Sequence, residues 1–406
     1  MLHHSSRSDY RATTSKPLVS EGYILELCTR GDLRTFDPYD IWMTNAGFNV
    51  KNFYNHHRYL GLPGAASLTL FDMALGEMRS RVFLPREYPI VRSWAPLILL
   101  NYYERSGDSG LLEPIRAHLK WLRHHSCQGY SGSCWGLAFR YAVGKNLVYD
   151  VNTPLATMTP YALEAFCRYT KLTGEEQFQD VIIGIYQFFE HDIAVMEETS
   201  HFLVTSYAPF RDRRVVNAVS YALYCYSLLL EYIEHDQRVK IKEKIAKLYA
   251  FIRDQQRVDG SWLYSPDGNS FVDCFHSCIV LKNLIKASKF IALDNCEAVI
   301  HSGYNYIKQN FLSTNGLARR FSVSNKPSMI RYDLYDSAEL MSLAALTGDH
   351  ELVANLSGNI ERSFVCGQDI YSQIDIFGRR RNKNMLRWAV MPYLHALSQL
   401  DGEAQG

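Results

Sequence analysis

No uncharged apolar run in this 406-residue chain reaches the roughly 18 residues a membrane-spanning helix needs. The N-terminal stretch MLHHSSRSDYRATTSKPLVSEG has no apolar core of the kind that marks a secretory leader. Nine cysteines are scattered without framework spacing, and their odd number excludes a fully paired disulfide scaffold. These absences predict a reduced, cytoplasmic protein. Charge of one sign is also missing: 43 basic and 42 acidic residues leave a formal +1, so no global field draws nucleic acid or anionic lipid. The one dense basic run, GRRRNKNMLR at 378–387, is either a solvated loop or a local contact for a phosphate or carboxylate. No G-x-S-x-G, P-loop or G-x-G-x-x-G motif occurs, so neither a serine hydrolase nor a nucleotide-dependent enzyme is expected, and no cofactor is implied.

Alternating strand patterns are rare, and helical ones fill the chain. SWAPLILLNYYERSGD, TPYALEAFCRYTKLTGE, NAVSYALYCYSLLLEYIEHD, FHSCIVLKNLIKASKF and LYDSAELMSLAALTGD all carry apolar residues three and four apart. Each is followed by a short polar turn and a second helical pattern. The turns fall at Gly107, Gly174, Asp236, Asp294 and Gly348, at intervals shrinking from 67 to 54 residues. A helix–turn–helix unit returning at this interval marks a repeat architecture, since each pair must bury its stripe against neighbours. Residues 40 to about 74 supply one more hairpin, for about six. The connections between hairpins are long and rich in Gly and aromatics, and long ordered loops in a compact domain carry function. The expectation is an all-α (α/α)6 toroid spanning residues 21–406 as one domain, its long loops at one end, preceded by a loosely ordered segment 1–20.

Four motifs then gain significance together. The turn Gly260–Tyr264 (GSWLY) leads to a helix start Asp273–His276 (DCFH). An Arg331–Asp333 segment (RYD) and the Arg387–Trp388 pair follow. In this order they resemble bacterial α/α-toroid proteins of surface-polysaccharide biosynthesis clusters, over roughly residues 90–400; Cys274 stands where that family has Asn. The toroid fold is shared by six-hairpin glycoside hydrolases, sugar epimerases, lyases, isoprenoid cyclases and protein prenyltransferases, so it leaves the chemistry open.

The candidate residues cluster where inner helices begin. Asp273 reads either as an N-cap or as a cleft carboxylate, and His276, one turn on, as a proton shuttle or a buried, bonded histidine. Asp333 has the same dual reading as Asp273. With them as catalytic candidates stand the binding candidates Trp135, Tyr149, Asp150, Asn152, Asn217, Trp262, Tyr264, Arg331, Tyr332, Arg387 and Trp388. Aromatic platforms stack on sugar rings, amides and carboxylates hold hydroxyls, and Arg331 and Arg387 would orient an acidic sugar or a lipid-linked phosphate. Cys274 and Cys278, at i and i+4, could share a metal, but no second ligand cluster follows. Two small thiols packed in a core explain them more simply, so no metal is expected. The mixture of Asp, His, Arg and Asn with aromatics, and the lack of a clustered Asp-x-Asp-Asp motif, count against prenyl chemistry.

The resulting expectation is a cofactor-free carbohydrate-active enzyme of glycoside hydrolase, lyase or uronic-acid epimerase type. Its partner would be a saccharide, acidic or lipid-linked, rather than nucleic acid, at the inner face of the membrane. A toroid that only binds glycan or a partner enzyme is the alternative, and an isoprenoid cyclase or prenyltransferase-like enzyme a lesser one.

Overall fold

A computed structural model describes residues 19–268, 271–324 and 328–400; the expected N-terminal segment 1–20 lies almost wholly outside them. Six helices form an inner ring: Pro89–Ser106, Thr159–Thr173, Val216–Leu229, Cys274–Ala287, Leu334–Leu346 and Met391–Ser398. Each packs on the next, and the last returns to the first. That closure is polar as well as apolar. Asn101 Nδ2 donates to Ser398 Oγ at 2.7 Å, Arg105 Nη1 to the Ser398 carbonyl at 2.5 Å, and the Trp94 and His395 rings lie 4.5 Å apart. All fourteen residues of Val216–Leu229 are buried, as a helix walled in on every side requires.

The outer layer is amphipathic. In Leu112–His124 the residues Ile115, His118, Leu119 and Leu122 face inward; His235–Asp254 buries Ile241 and Ile245 on one side and is covered all round from Leu248 to Ile252. Gly107 and Gly174 end their inner helices in the left-handed conformation, with φ of 66° and 72°, which glycine adopts without a Cβ penalty. The turns at one end of the ring are therefore short. At the other end the long connections fold in part as antiparallel β-structure: the hairpin Tyr141–Gly144 with Leu147–Tyr149, and the hairpin Asp369–Asp375 with Arg380–Lys383, on which Ile330–Asp333 pairs antiparallel from an earlier connection.

The hairpin expected near residues 40–74 is present, as Asn45–His56 and Arg58–Leu75, but it stands outside the ring. Its two helices touch closely where Gly61 meets the Tyr54 backbone; a Cβ there would sit 2.5 Å from Tyr54 Cα. Asn55 and His56 tie it to the loop hairpin at Ala142 and Asn146. The further outer helix on Pro89–Ser106, beside Leu112–His124, is instead Glu21–Thr29.

Candidate active site

The N-terminal ends of the inner helices and the long loops enclose a cavity of about 190 Å³. Six tyrosines line it, Tyr39, Tyr141, Tyr161, Tyr207, Tyr221 and Tyr335, with Phe275 and Trp388 beside them. Burial lifts the pKa of each of these six hydroxyls, so they meet the cavity as neutral donors and acceptors. The Tyr161 and Tyr221 hydroxyls are bonded to each other and form part of the floor. Below them lies the buried Lys282–Glu339 pair, with Nζ to Oε2 at 2.5 Å. A larger hollow, about 620 Å³, opens at the opposite mouth, but its charges are largely spent on each other, as in Lys286–Glu164 and Arg168–Glu104.

His276 lines the cavity and is the histidine on its wall. Its Nδ1 lies 2.6 Å from Asp273 Oδ2, and the two side chains are only 18% and 4% exposed. A carboxylate can only accept, so Nδ1 carries a proton, and Nε2 is the ring nitrogen left to face a ligand. Helical geometry makes the pair: Asp273 sits at the N-cap, makes no cap bond with its side chain, and so can reach His276 three residues on. Phe275 and Tyr264 hold the imidazole from the sides, at centroid distances of 3.9 and 4.6 Å. Beside them Asn217, at the start of its own inner helix, faces both this cavity and the recess behind His276. Its buried Oδ1 has no hydrogen-bond partner.

Arg387 also lines the cavity. Its Nε and Nη2 grip the Asp37 carboxylate, the latter at 2.6 Å, a partner that sequence reading did not find because 350 residues separate the two. Trp388 stacks on Tyr335 at 4.7 Å and 13°. Behind that stack, Asp333 accepts from the Trp388 indole at 3.1 Å, from Gln373 at 2.9 Å and from the Tyr335 backbone N–H at 3.0 Å. Asp333 is thus a fully occupied cap and brace, and not one of the cavity-lining side chains. The neighbouring Asp336 is buried, and burial, with Asp333 nearby, raises its pKa far above the usual carboxylate range.

Several binding candidates sit elsewhere. Trp135 and Trp262 are core residues whose indole N–H groups satisfy the carbonyls of Leu122 and Ile252. Tyr149 lies one layer back, stacked on Tyr207 and bonded to Asp212. Asp150 and Asn152 are exposed, and Asn152 zips to the Gln128 backbone in both directions. Arg331 is exposed and lies over its neighbour Tyr332, outside the cavity. Tyr264 packs on His276 and accepts from Arg213. Cys274 and Cys278 are buried with their sulfurs 3.9 Å apart, packed in the core. The tyrosine wall went unrecognised in the sequence; 27 tyrosines, with Tyr161 and Tyr335 in the first turns of inner helices, were its signal.

No protein-family model and no curated protein matches the chain. Its fold is found in solved structures. Cellobiose 2-epimerase from Bacillus thermoamylovorans superposes with a TM-score of 0.59 at 13% identity, over 77% of this chain and 86% of that one. A D-mannose isomerase gives 0.56 at 11%, over 77% and 88%. An α-mannanase of glycoside hydrolase family 76 from Bacteroides thetaiotaomicron gives 0.55 at 10%, over 77% and 86%. The chain therefore has the six-hairpin α/α-toroid fold of these enzymes.

Proposed function

We propose that this protein is a carbohydrate-active enzyme in which His276 moves a proton at a sugar carbon next to a carbonyl. Its products would be those of a sugar epimerase or isomerase rather than of a glycosidase. The observation that carries this reading is His276, held from behind by Asp273, on the wall of an aromatic-rich cavity that no carboxylate lines. Glycosidic hydrolysis of the usual kind needs two carboxyl groups flanking the bond. Here Asp273 serves the imidazole and Asp333 is occupied behind Trp388.

In the proposed step the open-chain sugar lies against the tyrosines and Trp388. His276 Nε2 takes the carbon-bound proton, and the Asp273 carboxylate stabilises the imidazolium. Charge grows on the neighbouring oxygen, where the Arg387 guanidinium and the neutral tyrosine hydroxyls are the available donors. Moving the hydroxyl proton from one oxygen of the enediolate to the other and returning the carbon-bound proton to the adjacent carbon on the same face gives isomerisation; returning it to the same carbon after that carbon has turned over gives epimerisation. Asn217 Oδ1 would accept a sugar hydroxyl. The cavity is smaller than the roughly 300–1,000 Å³ of drug-sized sites, which favours one sugar ring over a polymer run. The motif resemblance adds that the sugar belongs to surface-polysaccharide biosynthesis in the cytoplasm, in free or lipid-linked form.

The test is a panel of mono- and disaccharides incubated in D2O and read by NMR. Deuterium should enter the product at the reacting carbon, and His276→Gln should lose this by about 10²–10⁴-fold while keeping its circular dichroism. Hydrolysis products without exchange, or undiminished exchange in His276→Gln, would overturn the assignment.

A further inference from the structure

Among the described residues, seventeen large hydrophobic side chains are exposed, and nine of them fall between Phe53 and Leu84. This concentration singles out the hairpin that stands outside the ring. Its second helix, Arg58–Leu75, would be about 27 Å long at 1.5 Å per residue. Tyr59 is 90% exposed and Leu60 75%, and Leu62, Leu70 and Phe71 are at least half exposed. The helix holds two charged residues, Arg58 at its start and Asp72 near its end, and Asp72 is neutralised by Arg79 at 2.6 Å. A second apolar tip adjoins it: Arg381 donates to the Met73 carbonyl at 2.7 Å, and the turn before Arg381 exposes Ile376 and Phe377. Scattered exposed apolar residues need no explanation, but their concentration on one helix and the turn beside it marks an interaction surface.

Charge identifies what the surface meets. Residues 51–86 hold five basic and two acidic residues, and 376–383 hold four basic and none acidic. Asp40, Asp369 and Asp375, just outside these segments, pair with Arg79, Lys383 and Arg381, which leaves the two segments +4 in a chain whose total is +1. A second copy presenting the same face would be repelled, whereas an anionic lipid surface complements both the apolar helix and its basic surround. No helix of the described residues is long and apolar enough to cross a membrane, so the geometry is that of a helix lying in the headgroup layer. We infer that the Arg58–Leu75 helix and the Phe377 turn form a docking surface for an anionic bilayer. This face borders the cavity's loop end: the first helix of the hairpin packs on Tyr141–Gly144, whose Tyr141 lines the cavity. The inference rests on exposure and charge and does not depend on the sugar chemistry.

Flotation of the full chain with vesicles tests it. Binding to phosphatidylcholine vesicles containing about a third phosphatidylglycerol should exceed binding to pure phosphatidylcholine at least tenfold, and should weaken at high salt. The Leu70→Glu/Phe71→Glu variant should lose at least tenfold in partition while keeping its melting temperature; Leu60→Glu/Leu62→Glu is the substitute if that variant does not fold. Three results would each overturn the inference. They are equal binding to neutral and anionic vesicles, no binding to either, and a wild-type dimer in size-exclusion chromatography that Leu70→Glu/Phe71→Glu turns into a monomer. The readout is partition rather than turnover, so its failure leaves the proposed chemistry untouched.

Discussion

Replacing Asp273 by Asn separates two roles that a carboxylate beside a histidine can play. The amide has nearly the same shape, and its oxygen can still accept from His276 Nδ1, so the tautomer and ring orientation persist; only the negative charge is lost. The bond is short, 2.6 Å, and the side chains are 4% and 18% exposed, so solvent screens it little. A hydrogen bond to a charged group contributes about 1.5–3 kcal/mol, which corresponds to about a 10- to 150-fold fall in kcat. Losing the base itself in His276→Gln should cost about 10²–10⁴-fold. The expected order is therefore wild type, then Asp273→Asn, then His276→Gln, measured as deuterium incorporation under saturating sugar with folding checked by circular dichroism. If Asp273→Asn proves as damaged as His276→Gln, or more so, Asp273 is itself the acid or base and the orienting role assigned to it is wrong.

Three further outcomes follow from the same geometry. Lys282→Met strands the buried Glu339 charge; at about 3–5 kcal/mol for a broken buried pair, and about 2.1 cal/mol/K per residue of unfolding entropy, the melting temperature should fall about 4–6 °C, and Lys282→Met/Glu339→Leu should recover most of it. His118 is buried with Nδ1 accepting from Arg92 and Nε2 donating to the Cys28 carbonyl, and burial lowers its pKa to about 4. The unfolded chain binds that proton first, so stability complete above pH 6.5 should be lost as pH falls toward 4, by about 3 kcal/mol; urea midpoints of His118→Gln should fall less steeply over that window. Asn217→Ala should reduce kcat/KM about 10- to 100-fold if its unpartnered oxygen meets a sugar hydroxyl, and unchanged kcat/KM would count against that contact.

The helices were legible because their signal is local: apolar residues recur every three or four positions, and Gly107 and Gly174 end two of them where chain geometry demands. The pairing of Asp273 with His276 was within reach for the same reason, since three residues on a helix are one turn. Nothing local separates Trp388, which meets the cavity, from Trp135 and Trp262, which fill the core; all three sit in or beside the long connections between hairpins and differ in what packs around them. Asp333 and Asp273 look alike at the starts of two inner helices. One is consumed by an indole 55 residues away, while the other is free to hold an imidazole.

Residue spacing determined that this chain forms amphipathic helical pairs with long connections, because a helix advertises its buried stripe in its own sequence. Ring closure, which sets Ser398 against Asn101 and Arg387 against Asp37, was decided by packing across roughly 300 residues or more. So was the expulsion of the 45–75 hairpin from that ring. Contacts of that range are chosen by which faces fit together once every helix has formed, and no window of sequence contains both partners.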